Sequence, residues 1–297
     1  MSRLYEALQR ADLERKSGPA SEDDAAVDSH VVPAIEEPPP ARDDEDLEDI
    51  ARYPWRPLTA FFPTLKDRGP EVEQFRSLRS RIYQARYEAP LKTILVSSGL
   101  PSEGKSFITA NLAMNLARNS VNNILLIDGD LRRPSLHKVF GAPNTPGLSE
   151  YLEGSAGLKD ILQRDSAART GEASSLGRVS NLTFIPAGKC GDNASELIAT
   201  NRTKELIAAV SPHFDWILID SPPVLVVTDA VELAHAADAV LLIARGASTP
   251  YDVAQRTQTT FSSSRILGFV LNDVKDPPRT GSYQYYYGEP DTAIRGI

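Results

Sequence analysis

The sequence predicts an α/β fold in which a parallel sheet is covered by helices on both faces. From residue 92 onward, short apolar runs such as ILLI and AVLLIA alternate with segments of helical periodicity. Runs that are apolar throughout are typical of parallel strands buried on both faces. A length of 297 residues with 41% hydrophobic content allows one sizeable domain plus appendages. We therefore expect a domain over residues 52–276, preceded by an acidic arm and followed by a tail over 277–297.

The acidic residues are concentrated in the N-terminal arm. Residues 1–50 carry five Lys/Arg against fifteen Asp/Glu, whereas the rest of the chain carries 27 against 25. Residues 1–16 predict a short amphipathic helix, interpreted either as a frayed start or as a docking helix for a partner. Residues 17–51 contain EEPPPARDDEDLED and few large apolar side chains, which predicts a disordered, self-repelling linker. The nearly neutral body lacks the basic stripe of a nucleic-acid-binding protein, so we expect no nucleic-acid partner.

Cysteine content and hydropathy indicate a cytoplasmic protein. The single cysteine, Cys190, excludes an intramolecular disulfide and suits a reducing compartment. The longest apolar runs have the length of a strand and are too short to span a membrane. The first residues, MSRLYEALQRADLERK, are too charged for a signal peptide.

The part of the domain before the first apolar run contains two elements. RYPWRPLTAFFP, residues 52–63, predicts an extended strap whose aromatic side chains pack on the body. Residues 69–87 predict a helix, because apolar residues recur at spacings of three and four. Its other face carries the charged residues Glu73, Arg76, Arg79 and Arg86, for which a solvated surface is the ordinary explanation.

The alternating pattern then continues to residue 272. Strands are predicted at 93–98, 123–128, 182–187, 216–221, 239–245 and 266–272, and helices at 106–118, around 147–163, at 195–210, at 229–237 and near 250–262. A polar stretch over residues 164–180 predicts a surface loop.

Four tyrosines lie together in the tail, within GSYQYYYGEP. A polar, Gly-flanked terminal segment offers little packing for their rings. Three interpretations are open on the residues alone: the tail docks as a further strand, it binds a partner, or its hydroxyls are substrates. The four residues are Tyr283, Tyr285, Tyr286 and Tyr287.

GLPSEGKS, residues 99–106, matches the phosphate-loop pattern G-x-x-x-x-G-K-[ST] between a predicted strand and a predicted helix. In such a loop the backbone N–H groups and the helix N-terminus form an anion cradle. Lys105 can reach the β- and γ-phosphates of a nucleotide, and the Ser106 hydroxyl can ligate Mg²⁺. The sequence therefore predicts a P-loop NTPase-type fold that binds ATP with Mg²⁺.

Three aspartates are expected beside this loop. Asp128 ends one apolar run, Asp130 follows two residues later, and Asp220 ends another run. Ligands of open parallel sheets bind at the carboxyl ends of the strands, where carboxylates can hold Mg²⁺. The structural alternative is that these aspartates cap helices or turns.

These motifs together resemble the bacterial protein-tyrosine kinases (BY-kinases) of capsule and exopolysaccharide assembly. The resemblance is carried by SSGLPSEGKS, by Asp128-x-Asp130-x-Arg132-Arg133 and by FDWILIDSPPVLVVTDA, and it covers about three quarters of the chain. It implies an ATP-dependent protein-tyrosine autokinase whose phosphoacceptors are the four tail tyrosines. It further implies assembly through E-x-x-R-x-x-R, here Glu73, Arg76 and Arg79, into a ring that phosphorylates neighbouring tails.

The resemblance also implies the roles of individual residues and the partners. Lys105, Asp128, Asp130 and Asp220 are expected to be catalytic, and Ser106, Asp128 and Asp220 to hold Mg²⁺. Expected partners are other copies of the chain, a separate membrane-embedded polysaccharide co-polymerase that activates it, and a tyrosine phosphatase, with recruitment to the inner face of the cytoplasmic membrane. The expected nucleotide-binding residues are Gly99, Leu100, Pro101, Ser102, Glu103, Gly104, Lys105, Ser106, Phe107 and Arg132.

One alternative function belongs to another class. MinD- and ParA-like ATPases share this type of loop, and a nucleotide-driven assembly switch would need no phosphoacceptor. Their loops carry a signature lysine directly after the first glycine, a position that Leu100 occupies here. The choice of catalytic base between Asp128 and Asp130 also stays open, with Asp128 slightly favoured.

Overall fold

The computed structural model describes residues 50–66, 68–118, 121–167 and 181–274. The predicted helix 1–16, the predicted linker up to residue 49 and the predicted tail 277–297 with its tyrosines lie outside the described residues. Among the described helices, none has the length and apolar character needed to cross a membrane.

Eight strands form one sheet, which supplies the framework for the site. The strands are β1 (Ala51–Tyr53), β2 (Thr93–Ser98), β3 (Ile124–Asp128), β4 (Gln163–Asp165), β5 (Leu182–Ile185), β6 (Trp216–Asp220), β7 (Ala239–Arg245) and β8 (Ile266–Asn272). Their order across the sheet is β1-β4-β5-β3-β6-β2-β7-β8. Neighbouring strands run parallel except β4 and β5, which pair antiparallel. The prediction of a parallel α/β sheet is confirmed.

The described helices connect these strands. They are α1 (Pro70–Glu88), α2 (Lys105–Ala117), α3 (Leu136–Phe140), α4 (Leu148–Glu153), α5 (Leu158–Ile161), α6 (Ala194–Ile198), α7 (Arg202–Val210), α8 (Asp229–Ala234) and α9 (Tyr251–Thr260).

Two hydrophobic cores lie on the two faces of the sheet. Alternate residues of β2 belong to different cores: Leu95 packs in one, and Ile94 and Val96 pack in the other. This division follows from the two-residue period of a strand. Helices α6, α7 and α8 cover the first core, and α1 and α2 cover the second. Coverage of both faces explains why the strands are apolar throughout.

The segment predicted as an extended strap is extended only at its start. It forms the edge strand β1 and then two short 3-10 turns, Thr59–Phe61 and Pro63–Leu65. The predicted packing of its aromatic residues is confirmed, because Trp55 and Phe62 are buried and their rings meet Phe140 at centroid distances of 5.5 and 5.1 Å. Proline has no N–H to donate to a ladder, which favours turns over a longer strand here.

Three predicted elements were wrong in extent. The predicted loop 164–180 begins inside strand β4, whose polar residues Gln163, Arg164 and Asp165 are buried. The predicted helix 147–163 is two short helices followed by this strand, and the predicted helix 195–210 is divided into α6 and α7. A strand of three polar residues has no hydrophobic period to detect, so tertiary pairing alone forms it.

Candidate functional site

The phosphate loop joins β2 to α2 at the carboxyl edge of the sheet. Gly104, directly before α2, has φ +93° and ψ 19°, and Ser102 has φ +64°. A Cβ at Gly104 would collide with the side-chain amide of Asn272. Glycine is therefore required here both for the left-handed backbone and for the close approach. The turn therefore leads directly into α2, a helix of 13 residues. The free backbone N–H groups at the start of this helix and the positive end of its dipole favour the binding of an anion.

Lys105 is the cation at the start of α2. Its Nζ lies 3.2 Å from Asp130 Oδ2 and 3.5 Å from Ser106 Oγ. Burial by itself lowers the pKa of Lys105, but the negative charges of Asp220, Asp130 and Asp128 raise it above its ordinary value. The amine is therefore held in its charged form, as phosphate binding requires.

Asp220 at the end of β6 contacts the first turn of α2. Its Oδ2 accepts a 2.5 Å hydrogen bond from Ser106 Oγ, and its Oδ1 accepts one of 3.3 Å from Thr109 Oγ1. Burial raises the pKa of Asp220, although Lys105 and the Ser106 hydroxyl act in the opposite direction. No motif in the sequence indicated Thr109, whose only signal is its place one helical turn after Lys105.

Asp128 at the end of β3 is fully buried. Its Oδ2 accepts hydrogen bonds from the N–H groups of Ser135 and Leu136 at the start of α3, and its Oδ1 accepts one from Asp130 N. Asp128 thus caps a short helix, which is the structural alternative recognised from the sequence, while it also borders Asp220. Burial and the neighbouring charge of Asp220 raise the pKa of Asp128 to about 8.

The donor set at this edge fits Mg²⁺ bound together with a nucleotide. Within residues 50–66, 68–118, 121–167 and 181–274, no group of three His, Cys, Asp or Glu side chains is arranged to hold a metal ion by itself. Mg²⁺ is normally bound by one or two carboxylates, with water and substrate phosphates completing its shell. Ser106, Asp220 and Asp128 meet that requirement once phosphate oxygens are present.

Arg132 points toward α6 and α8. Its Nε lies 2.8 Å from Asp229 Oδ2, and its Nη2 lies 2.5 Å from Ser195 Oγ. Ser195 in turn donates a 2.6 Å hydrogen bond to Asp229 Oδ1, which closes a three-residue network. The predicted nucleotide-binding Arg132 is thus engaged by a buried aspartate that no sequence motif indicated.

The remaining predicted nucleotide-binding residues differ in what they present to the site. Pro101 and Ser102 are exposed, Leu100 is half-buried and Gly99 is buried. The Phe107 ring packs against Phe61 and Phe75 at centroid distances of 5.3 and 6.1 Å, so only its backbone is directed to the loop. The carboxylate of Glu103 is turned into the protein interior.

The three residues predicted for assembly lie on α1. Arg76 and Glu73 form a 2.6 Å ion pair on the helix surface. Arg79 Nη1 donates to the carbonyl of Asn115 in the last turn of α2 at 3.0 Å. The charged face of α1, predicted to be solvated, is only partly solvated, because Arg86 lies 4.7 Å above the ring of Trp216.

Comparison with curated proteins identifies close relatives, although no protein-family model matches the chain. It is 36% identical over 206 residues to tyrosine-protein kinase ptk of Acinetobacter johnsonii, which covers 69% of this chain but only 26% of the relative. It is 34% identical over 226 residues to putative tyrosine-protein kinase CapB of Staphylococcus aureus, which covers 75% of this chain and 93% of the relative. The chain thus spans about a quarter of ptk and nearly all of CapB.

Solved structures show the same relationship. The chimerical protein CapA2B2 has a TM-score of 0.64 at 26% identity and covers 77% of this chain and 97% of its own. The kinase domain of Escherichia coli tyrosine kinase ETK has a TM-score of 0.62 at 30% identity, with 73% and 80% covered. MinD of Pyrococcus horikoshii, at 23% identity and a TM-score of 0.51 over 61% of this chain and 69% of its own, shares the fold alone. The chain therefore belongs to the bacterial tyrosine-protein kinase (BY-kinase) family.

Proposed function

We propose that the chain is an ATP-dependent protein-tyrosine autokinase that phosphorylates its own C-terminal tyrosine cluster. The observation that supports this most directly is the convergence of a phosphate loop, a charged lysine and three carboxylates at one edge of the sheet. Lys105 Nζ contacts Asp130, Ser106 Oγ contacts Asp220, and Asp128 pairs in register with Asp220. The proposed phosphoacceptors, Tyr283, Tyr285, Tyr286 and Tyr287, lie outside the described residues.

The nucleotide phosphates bind over residues 99–106. The loop N–H groups orient them, and Lys105 stabilises charge on the transferred group. Asp130 positions Lys105 through its 3.2 Å contact. Mg²⁺, when bound at Ser106, Asp128 and Asp220, supplies further neutralisation of phosphate charge. Arg133, whose exposed side chain follows Asp130, adds positive charge beside the phosphates, whereas Arg132 is held by Asp229.

The transfer needs a proton acceptor, because a tyrosine hydroxyl has a pKa of about 10. The tyrosine oxygen bonds to the γ-phosphorus, the bond from that phosphorus to the oxygen of ADP breaks, and the phenolic proton passes to a carboxylate. We assign that carboxylate to Asp128, which lies at the carboxyl end of β3 beside Asp220 and whose pKa is raised by burial and by the charge of Asp220. Asp130 is instead engaged by Lys105 in an ion pair.

The regulatory setting is part of the same proposal. Glu73, Arg76 and Arg79 on α1 assemble copies of the chain into a ring, in which each copy phosphorylates a neighbour's tail. Each phosphate adds roughly −1.5 to −2 charge, so a fully modified tail repels itself and leaves the cleft. A membrane-embedded co-polymerase recruits the chain to the inner face of the cytoplasmic membrane and activates it, and a tyrosine phosphatase resets it. Cycles of assembly would then regulate exopolysaccharide polymerisation and export.

Intact-mass spectrometry after incubation with ATP and Mg²⁺ tests the proposal. The unsubstituted chain, with a co-polymerase fragment as activator, is expected to gain one to four phosphates. Lys105→Met and a variant with all four tail tyrosines changed to Phe should gain none. The Phe variant controls for the nucleotide site, since it must still bind ATP. An unchanged mass in every condition, with ATP still hydrolysed, would support the nucleotide-driven assembly switch instead.

A further inference from the structure

We propose that Glu103 and Thr249 are positioning residues that hold the phosphate loop in its nucleotide-binding shape, with Asn272 completing the contact. We call these three residues the loop brace. The inference rests on the proposed function only in that the loop binds ATP. Thr249 lies in the connection that follows β7, and Asn272 ends β8. No sequence pattern indicated a role for either position.

Glu103 is the centre of the loop brace. Its side chain belongs to the phosphate loop, yet the residue is only 4% exposed. Its Oε2 accepts a 2.8 Å hydrogen bond from Leu100 N, which closes the loop on itself, and its Oε1 accepts the hydroxyl of Thr249. A buried carboxylate that lacked such partners would be costly, and one turned toward the cleft would repel phosphate. The two hydrogen bonds keep the charge satisfied on the interior side.

Asn272 contacts the same loop from the end of β8. Its Nδ2 donates to the carbonyl of Glu103 at 3.0 Å, and its amide occupies the space beside Gly104 that a Cβ would need. Its own carbonyl accepts a 2.6 Å hydrogen bond from Gly246. Asn272 is thereby fixed at both its side chain and its backbone.

The base of the loop brace is the paired ends of β7 and β8. Arg245 and Asn272 are register partners, and the Arg245 guanidinium bonds Asp273 at 2.6 Å. The Thr249 hydroxyl accepts a 2.8 Å hydrogen bond from Arg245 N while it donates to Glu103. Because Thr249 lies in the connection between β7 and α9, the loop is tied to the sheet by a path separate from its own strand and helix.

A loop held in this way needs less ordering when a nucleotide binds. Preorganisation raises affinity by reducing the entropic cost of ordering the loop on binding. Loss of the Thr249 hydroxyl should loosen Glu103 and Leu100, and thereby the direction of the loop N–H groups. The expected effect is weaker ATP binding, with a raised KM for ATP and a nearly unchanged kcat, because none of these side chains touches the transferred phosphoryl group.

The experiment measures affinity by calorimetry on the full chain, with a non-hydrolysable ATP analogue and Mg²⁺. Thr249→Val keeps the shape of the side chain and removes the hydroxyl, and Thr249→Ser restores the hydroxyl. The Val variant should bind roughly tenfold more weakly, since one partly buried hydrogen bond to a charged group is lost. The Ser variant should bind like the native chain. Thr260→Val on the exposed end of α9 is the matched control and should change nothing.

Two results would overturn the inference: native affinity in Thr249→Val, or affinity in Thr249→Ser as low as in Thr249→Val. The first result, combined with a lowered melting temperature of the nucleotide-free Val variant, would show that the hydroxyl has a purely structural role. Failure of the kinase proposal is distinguishable, because binding is measured without phosphoryl transfer. A chain that binds the analogue but never phosphorylates its tail would overturn only the kinase.

Discussion

Asp128 and Asp220 are register partners at the carboxyl ends of the adjacent parallel strands β3 and β6, and both are fully buried. Register partners on neighbouring strands point to the same face, so two carboxylates share one dry environment. Burial raises the pKa of each, with that of Asp128 reaching about 8. Burial therefore makes ionisation of both carboxylates less favourable than in water, and a bound cation would offset this cost.

The first prediction concerns stability as a function of pH in nucleotide-free, metal-free protein. The folded chain keeps a proton on Asp128 up to a pKa of about 8, whereas the ordinary value is 3.8. Between these values the native state binds more protons than the unfolded state, so the free energy of unfolding falls as pH rises. The contribution of Asp128 is at most about 1.4 kcal/mol per pH unit. Urea denaturation at both ends of this window measures it.

Asp128→Asn is the variant that tests this assignment. It should flatten the fall in stability with pH and should be more stable than the native chain at the alkaline end. Asp252→Asn, which changes an exposed carboxylate on α9, should leave the pH profile as it is. A native-like slope in Asp128→Asn would show that other groups cause the dependence.

The second prediction concerns the left-handed backbone at Gly104. Gly104→Ala should weaken ATP binding by more than tenfold, because alanine at φ +93° costs about 1–2 kcal/mol and its Cβ meets Asn272. Gly191→Ala is the control, since its Cβ would meet only Asn193 Oδ1, at an ordinary 3.4 Å. Calorimetry with ATP and Mg²⁺ compares the two. Equal affinities would contradict the requirement for glycine.

The third prediction concerns the network of Arg132, Ser195 and Asp229. Asp229 is buried and accepts both a guanidinium and a hydroxyl. Asp229→Asn should lower the free energy of unfolding by about 1–3 kcal/mol, and Ser195→Ala by about 1 kcal/mol. Urea denaturation of the single and double variants should give non-additive effects, because the residues share partners. Additive effects would show that the three contacts are independent.

The fourth prediction separates assembly from stability on α1. The ion pair between Glu73 and Arg76 is exposed and contributes about 0.5 kcal/mol or less to the monomer. The double variant Glu73→Gln/Arg76→Gln should therefore fold normally but lose the proposed oligomer, as measured by light scattering after gel filtration. The exposed pair Asp252–Arg256 on α9 offers the control Asp252→Asn/Arg256→Gln, which should still assemble. An oligomer that persists in Glu73→Gln/Arg76→Gln would contradict the assembly proposal.

Local patterns were sufficient for much of the fold. Strands β2, β7 and β8 begin and end where their apolar runs predict, and the phosphate loop lies between the predicted strand and helix. The burial of a strand on both faces and the need for glycine in the loop each depend on a few consecutive residues. Both features can therefore be recognised in the sequence. The three carboxylates were placed at one edge by the rule for parallel sheets.

Contacts between distant residues required the folded structure. Thr249 and Glu103 are 146 positions apart, and Arg132 and Asp229 are 97 apart, with no spacing that relates them. Strand β4 is short and polar, so it exists only because β1 and β5 lie beside it. Apolar periodicity and loop chemistry are properties of neighbouring residues, whereas the partners of buried polar groups are chosen by packing. The amino-acid order therefore specified where the phosphate loop and its strands lie, and the tertiary structure specified which side chains hold them in position.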